Sequence, residues 1–267
     1  MKRLKRYSGI VKNEFMSDLS YREHFITSII TTVIFYVVLY FLWRAIYAGS
    51  SGEIQGMSFT QTYVNLALAT CLFQCLSNGM EWEMHFEMIK GDIIIKLVRP
   101  TDYMLYLISE KLGQSISNII VYAIPIFGIL LFLFPGVIHL GFNLIFFLIC
   151  MCISFFIMFL FEFLTGILTF YTESVWGLST IKDLIISFFA GVEVPLAFFP
   201  SFIKNVANVL PFKSMYYDPL QILLNASYGV SDYLRILGFQ LIWAIGLFAL
   251  ARVMYGVMMN KIVVNGG

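Results

Sequence analysis

One carboxylate stands where carboxylates are expensive. Glu162 lies between Phe161 and Phe163 inside a long, otherwise uncharged apolar run. An ionisable side chain at membrane depth is costly and marks a functional candidate by default. Its position suits an ion pair with Lys111 or Lys182, or contact with a substrate or a proton. A second group is the stretch Glu81-Trp82-Glu83-Met84-His85-Phe86-Glu87-Met88-Ile89-Lys90, which stops at Gly91. Trp82, His85, Phe86 and Ile89 recur at helical spacing, with Glu81, Glu83 and Glu87 among them. Rigid aromatics rimmed by charge are what docking into a partner's pocket requires. Packing against the chain's own helices would use the same pattern. A third group is Ser179, Ser187 and Gly191 at multiples of four, with Asp183 between them and Glu193 just beyond. A stripe of small residues lets helices approach closely, either across a dimer seam or within one subunit.

The chemistry that is missing narrows the function. No Gly-x4-Gly-Lys-Ser/Thr occurs, so the chain cannot cradle nucleotide phosphates in a Walker-type loop. His-Glu-x-x-His and Gly-x-Ser-x-Gly are also absent, which removes the parts for zinc or serine proteolysis. His24, His85 and His139 are far apart, and Cys71 with Cys75 offers two thiols without further ligands. No catalytic, metal or cofactor site is expected on this chain. A membrane enzyme acting on lipid head groups would need Glu162, Glu173 and Asp183 to converge at one interface. A scaffold or immunity protein would use the docking pattern alone.

The elements that must position these residues are membrane helices. Of 267 residues 60% are hydrophobic and 12% charged, with a mean hydropathy of +0.84. A soluble domain carries about 25% charged residues. Few charges and a net charge of +1 also argue against nucleic acid as a partner. A span needs roughly 20 apolar residues, and the runs are continuous rather than alternating. Six spans are expected, over 25–47, 59–80, 103–134, 140–171, 174–195 and 234–256, in a single domain of all-α integral membrane class. Residues 1–22 form an amphipathic interfacial helix, with Leu4, Tyr7, Val11, Phe15 and Leu19 on one stripe. Residues 81–102 form the one sizeable inner loop. Residues 196–233 are too apolar for a free loop, and Pro195, Pro200 and Pro211 break them. They read as an outer re-entrant hairpin of one or two half-helices, covered by protein at that depth.

Lys and Arg placement sets the orientation. With the N-terminus inside, the inner segments hold 13 of the 17 basic residues and the outer segments only Arg44, Lys204, Lys213 and Arg235. Both termini are therefore expected in the cytoplasm.

Two motifs carry a resemblance. Gly91 followed by Lys96-Leu97-Val98-Arg99-Pro100 resembles the inner-loop signature of type-2 ABC exporter permeases. Gly191-Val192-Glu193-Val194-Pro195, then Phe199-Pro200, Leu210-Pro211-Phe212 and Pro219, resembles that family's closing pattern before its last helix. With six spans and an amphipathic N-terminus, the resemblance covers nearly the whole chain. It implies the transmembrane subunit of an ATP-driven exporter in the bacterial plasma membrane. Two such subunits, identical or sisters, would face each other among membrane lipids. Each would sit on a separate ATP-binding subunit, which would hold the ATP and Mg. The resemblance assigns ATPase coupling to Glu81, Trp82, His85, Phe86, Ile89 and Gly91. It places the pathway at the first and fifth spans, and the pathway or gate candidates are Asp183, Ser187, Gly191, Glu193, Pro195, Phe199 and Pro200 along the fifth span and the outer hairpin, with Glu162. A hydrophobic or amphipathic substrate (a drug, peptide or lipid-linked molecule) suits the apolar spans. The orientation is checked by single cysteines: one at Ser51 should react with an impermeant thiol reagent from outside the cell and one at Gly91 should not, and the reverse pattern would invert the topology.

Overall fold

The computed structural model describes residues 2–20, 22–49, 52–98, 102–172 and 174–265. Ser51, Arg99, Pro100 and Glu173 lie outside them, as do the side chains of Leu4 and Leu19. The described chain is almost wholly helical. It opens with α1 (Lys2–Ser20) and α2 (Arg22–Ala48). A minimal hairpin follows, β1 (Glu53–Ile54) and β2 (Met57–Ser58), whose turn residues Gln55 and Gly56 both take positive φ. That is the geometry of a tight two-residue hairpin turn. Ser58 and Gln61 then form a reciprocal capping box that starts α3 (Phe59–Leu76).

The second expected span does not run on to residue 80. Ser77, Asn78 and Gly79 are non-helical, Gly79 at φ 60°, and a separate helix α4 (Met80–Lys90) begins beyond them. Gly91, also left-handed, ends α4 and leads into α5 (Asp92–Val98). Such a positive φ is open to glycine at little cost. The third expected span is α6 (Tyr103–Asn118), a π segment (Ile119–Ala123) and α7 (Ile124–Leu133) in unbroken succession. Pro125 accounts for the π segment. It has no N–H to donate and its ring would strike the carbonyl four residues back. Widening the preceding turn relieves that clash, and the Ile124 N–H bonds to the Ile119 carbonyl five residues back.

The remaining elements are α8 (Asn143–Thr172), α9 (Val175–Phe189), a 3-10 turn (Leu196–Phe198), α10 (Ser201–Val209), α11 (Phe212–Met215), α12 (Tyr217–Leu224) and α13 (Val230–Asn265). The segment before the last helix is thus cut finer than one or two half-helices. Pro200 and Pro211 each stand immediately before a helix start, where a missing N–H costs nothing. Gly191, at φ 72°, ends α9 well before residue 195.

Among the described residues four helices are long and apolar enough to cross a membrane: Thr27–Ala48, Tyr103–Leu133, Asn143–Thr172 and Val230–Met259. The other two expected spans correspond to α3 and α9, of 18 and 15 residues. At 1.5 Å per residue α9 reaches only about 22 Å, against a hydrocarbon core of roughly 30 Å. α3 is largely enclosed by neighbours, whereas α9 buries one side and leaves Trp176, Ile181, Leu184 and Ile185 exposed. The core forms around α8, which packs on α13, α4, α11 and α12, while α3 leans on α2 and the π segment. Gln240 of α13 fastens this core by donating to the Ser214 carbonyl (2.6 Å), Ser154 Oγ (3.1 Å) and the Cys150 carbonyl (3.4 Å).

α1 lies along α6 rather than standing apart. Tyr7, Val11 and Phe15 are half-buried, whereas Arg6, Lys12 and Asn13 are exposed. The crossing is at Gly113, where an added Cβ would come within 2.6 Å of the Val11 carbonyl oxygen and 2.9 Å of Glu14 Cβ. Gly113→Ala should therefore lower the thermal unfolding midpoint through overpacking, at about 1–3 kcal/mol. Gly238→Ala, which meets open space, should hold or raise it because alanine favours helix. Equal midpoints in the two variants would unseat α1 from this crossing.

Candidate functional site

The first turn of any helix leaves backbone N–H groups without partners. α4 has no capping side chain of its own, since its N-cap is Gly79. Glu162 supplies the missing acceptor from α8. Its Oε1 accepts from the N–H groups of Asn78 (2.8 Å) and Gly79 (3.1 Å) and from Ser77 Oγ (3.4 Å), and its Oε2 from the Met80 N–H (3.5 Å). A negative group there also faces the positive end of the helix dipole. One turn further along α8, Gly166 admits Met84. A Cβ at Gly166 would lie 2.5 Å from the Met84 sulfur. Glu162 and Gly166, four residues apart on one face, thus seat α4 on α8.

The opposite flank of α4 is tied to α9. Trp82 Nε1 donates to Ser179 Oγ (3.0 Å), which donates to Glu81 Oε1 (2.6 Å). Lys182 Nζ donates to the same Glu81 oxygen at 2.7 Å. Lys182 also stands 3.9 Å from Glu162 and 3.2 Å from Asp183. Glu81 and Glu162 are fully buried, and Lys182 nearly so. Charges taken out of water persist only when paired and hydrogen-bonded; each charge here has a counter-charge, and Glu81 accepts through Oε1 alone, its Oε2 being buried without a partner.

α6 closes the third side. Lys111, 1% exposed, reaches Glu83 of α4 at 2.6 Å and Gln114 at 3.0 Å. Asn78 donates to Ser115 Oγ (2.7 Å), and Asn118 donates to Asn78 Oδ1 (3.4 Å). Lys96 of α5 bridges Glu87 (2.5 Å) and Glu110 (3.4 Å). Burial works against the Lys96 charge, but its hydrogen bond to Glu87 and the charge of Glu110 outweigh that and hold its pKa above the ordinary lysine value.

The residues singled out for coupling therefore separate into two faces. Glu81 and His85 point inward, and Trp82 is half-buried through its bond to Ser179. The turn at Asn78–Gly79 sets this phase by rotating α4 so that its first acidic residue meets Lys182. Phe86 and Ile89 face outward, 49% and 68% exposed, and Ile94 and Ile95 of α5 are exposed as well. The other expected residues lie elsewhere. Ser187 and Gly191 are buried with Ser179, so the small-residue stripe faces the chain's own interior. Asp183 is half-buried beside Lys182. Glu193 and Pro200 are exposed, Pro195 is buried, and Phe199 stacks on Phe188 at 4.7 Å.

The family model described as ABC-2 family transporter protein matches residues 24–266. The chain belongs to this family. No match to a curated protein was found. Members of the ABC-2 family are transporter membrane subunits that normally work with an ATP-binding subunit. This ABC-2 transporter protein is accordingly a multi-pass membrane protein. Among its described residues no group of three or more His, Cys, Asp or Glu side chains is placed to hold a metal. Of the carboxylates that a head-group enzyme would gather, Glu162 and Asp183 meet at Lys182.

The sequence pointed to Glu162 and to both candidate lysines, and the structure divides them: Lys182 takes Glu162 and Glu81, Lys111 takes Glu83. What sequence reasoning missed is that Glu81 is an inward anchor. The available signal was Lys182, a lone cation among apolar residues that required an acidic partner. Lys182→Met should destabilise the ABC-2 protein by about 3–5 kcal/mol, because Glu81 and Glu162 lose their shared counter-charge. Adding Glu81→Gln should recover part of that loss. Thermal unfolding in detergent reads both, and additive losses would dissolve the proposed triad.

Proposed function

We propose that this chain is the transmembrane subunit of an ATP-driven exporter, and that the outer face of α4 with α5 is where an ATP-binding subunit docks. The observation that carries this reading is the two-faced character of α4. Its inner face is fastened by buried charge to α6, α8 and α9. Its outer face offers Phe86 and Ile89 to a partner. A helix so held moves with the helices that grip it, so a push delivered at Phe86 and Ile89 reaches α8 and α9 without loss into a loop. ATP and Mg would be held by the partner, whose closure would supply that push.

In this reading the permease crosses the bacterial plasma membrane six times, α3 and α9 being the short spans, with α4 and both termini in the cytoplasm. Two permeases, identical or sisters, enclose the pathway. The unpaired apolar faces of α2 (Val33, Val37, Phe41) and α9 (Ile181, Leu184, Phe188) supply surface for that pairing and for lipid. Asp183, Ser187, Gly191, Glu193, Pro195, Phe199 and Pro200 lie along α9 and its outer end, where access to the far side would be controlled. A hydrophobic or amphipathic substrate matches these walls.

Purification of the tagged chain from its native membrane, with ATPase activity measured on the product, tests the reading. An ATP-binding subunit should co-purify in stoichiometric amount. Phe86→Ala with Ile89→Ala should release it, since central anchors are each worth about 2 kcal/mol or more. The permease's own unfolding midpoint should stay unchanged, because neither side chain is enclosed. Emergence of the wild-type chain alone, without ATPase, would overturn the proposal.

A further inference from the structure

A cavity of about 340 Å³ opens at the end of the bundle opposite α4, between the start of α3, the loop before α8 and the end of α12. Its polar lining consists of Gln61, Asn65, His139, Tyr217, Gln221 and Asn225. No carboxylate, lysine or arginine is among the described residues that line it. Four of the six are carboxamides, groups that both donate and accept.

Their local bonds aim them. The Gln61 carbonyl oxygen accepts from the Ser58 N–H in the capping box (3.0 Å). The Asn225 carbonyl oxygen accepts from the Ser227 N–H (3.1 Å) and hydroxyl (2.7 Å). In both, the amide nitrogen is left to donate elsewhere. Asn65 is 2% exposed, and its carbonyl oxygen is buried with no hydrogen-bond partner. That oxygen has no accessible surface, so it would meet an occupant only by a turn of the Asn65 amide toward the cavity that the residue lines. The walls are fixed in advance: the His139 N–H bonds to the Leu223 carbonyl (2.8 Å), and Asn143 donates to the carbonyls of His139 (2.8 Å) and Ile222 (2.7 Å). Preorganised walls lower the ordering cost of binding.

We infer that this cavity is a binding site for a neutral, hydroxyl-rich group, a sugar unit of one or two rings. An anion or a cation would find no counter-charge among these side chains. A purely apolar ligand would leave the amides unpaired. Sugar hydroxyls, which donate and accept in turn, match four carboxamides, a phenol and an imidazole, and the cavity falls within the size range of small-ligand sites. The same chemistry is presented by a free saccharide and by the headgroup of a neutral glycolipid. The site needs no ATP-binding subunit, so it stands or falls separately from the exporter reading.

The test is equilibrium binding to the full chain in a polyoxyethylene detergent, which carries no sugar headgroup. The probes are radiolabelled maltose and radiolabelled monoglucosyl diacylglycerol, with phosphatidylglycerol as the anionic control. Saturable binding of one or both sugar probes is expected, with affinity at least tenfold weaker in Asn65→Leu and in Gln221→Leu. Maltose binding would identify the free saccharide as sufficient, and binding of the glycolipid alone would identify a headgroup. Gln221 is only half-buried, so its variant decides the matter even if Asn65→Leu fails to fold. Failure of both sugar probes to bind, equal binding by phosphatidylglycerol, or unchanged affinity in Gln221→Leu would overturn the inference.

Discussion

The carboxyl group of Glu162 is the constraint around which this end of the molecule is built. The break after α3 gives α4 its own direction, but a helix that starts at a glycine in mid-protein exposes N–H groups it cannot satisfy. Water is the usual remedy for such groups. A side chain from α8 substitutes for it, and the charge so introduced must in turn be balanced. Lys182 balances it, and Glu81 and Ser179 complete the lysine's surroundings. Each member is tolerable in the apolar interior only because the others are present. α4, α8 and α9 are thereby joined as one mechanical unit, and α6 joins them through Lys111 and Asn78.

Small residues make that unit compact. Gly166 lets α4 settle on α8 and Gly113 lets α1 settle on α6, each at a separation that a methyl group would prevent. At the other end aromatic rings take over the same task. Phe198 packs on Trp43 of α2 at 5.7 Å, and Phe188 stacks on Phe199 at 4.7 Å, so the short helices before α13 bridge α2 and α9. One end is held by charge and hydrogen bonds, the other by ring contacts together with the hydrogen bonds of Asn143 and His139.

How much of this can be read without coordinates depends on whether the cause is local. The helices α2, α8 and α13 and the α6–α7 run follow from continuous apolar stretches, because nothing else satisfies their backbones in a membrane. Ends governed by local chemistry shift by a few residues. α13 begins at Val230 because the Asp232 carboxylate accepts from the Gly229 N–H (3.0 Å), a cap that hydropathy does not register. Glu162 is legible as an isolated carboxylate. Its acceptors' partners are not, since Asn78 and Gly79 lie more than eighty residues earlier in the chain. The same holds for Glu81, whose helical neighbours suggest a rim position while Lys182, 101 residues away, draws it inside. The hairpin's prolines announce breaks, and only the packing decides how many pieces result.

The π segment between α6 and α7 holds a further consequence. A turn of this kind contains one residue more than the α-helical turn it replaces. Everything after it is therefore turned by roughly 100° about the common axis relative to an uninterrupted helix. Ile119, Ala123, Ile124, Phe127 and Gly128, within and beyond that turn, line one wall of an apolar cavity of about 470 Å³ against α3 and α8. Removing a single residue from Ile119–Ala123 would rewind the turn and carry a different set of side chains into that wall. The spacing of apolar residues in α7 is thus written in a different phase from that of α6, and the two halves of one continuous rod answer to two separate alignments.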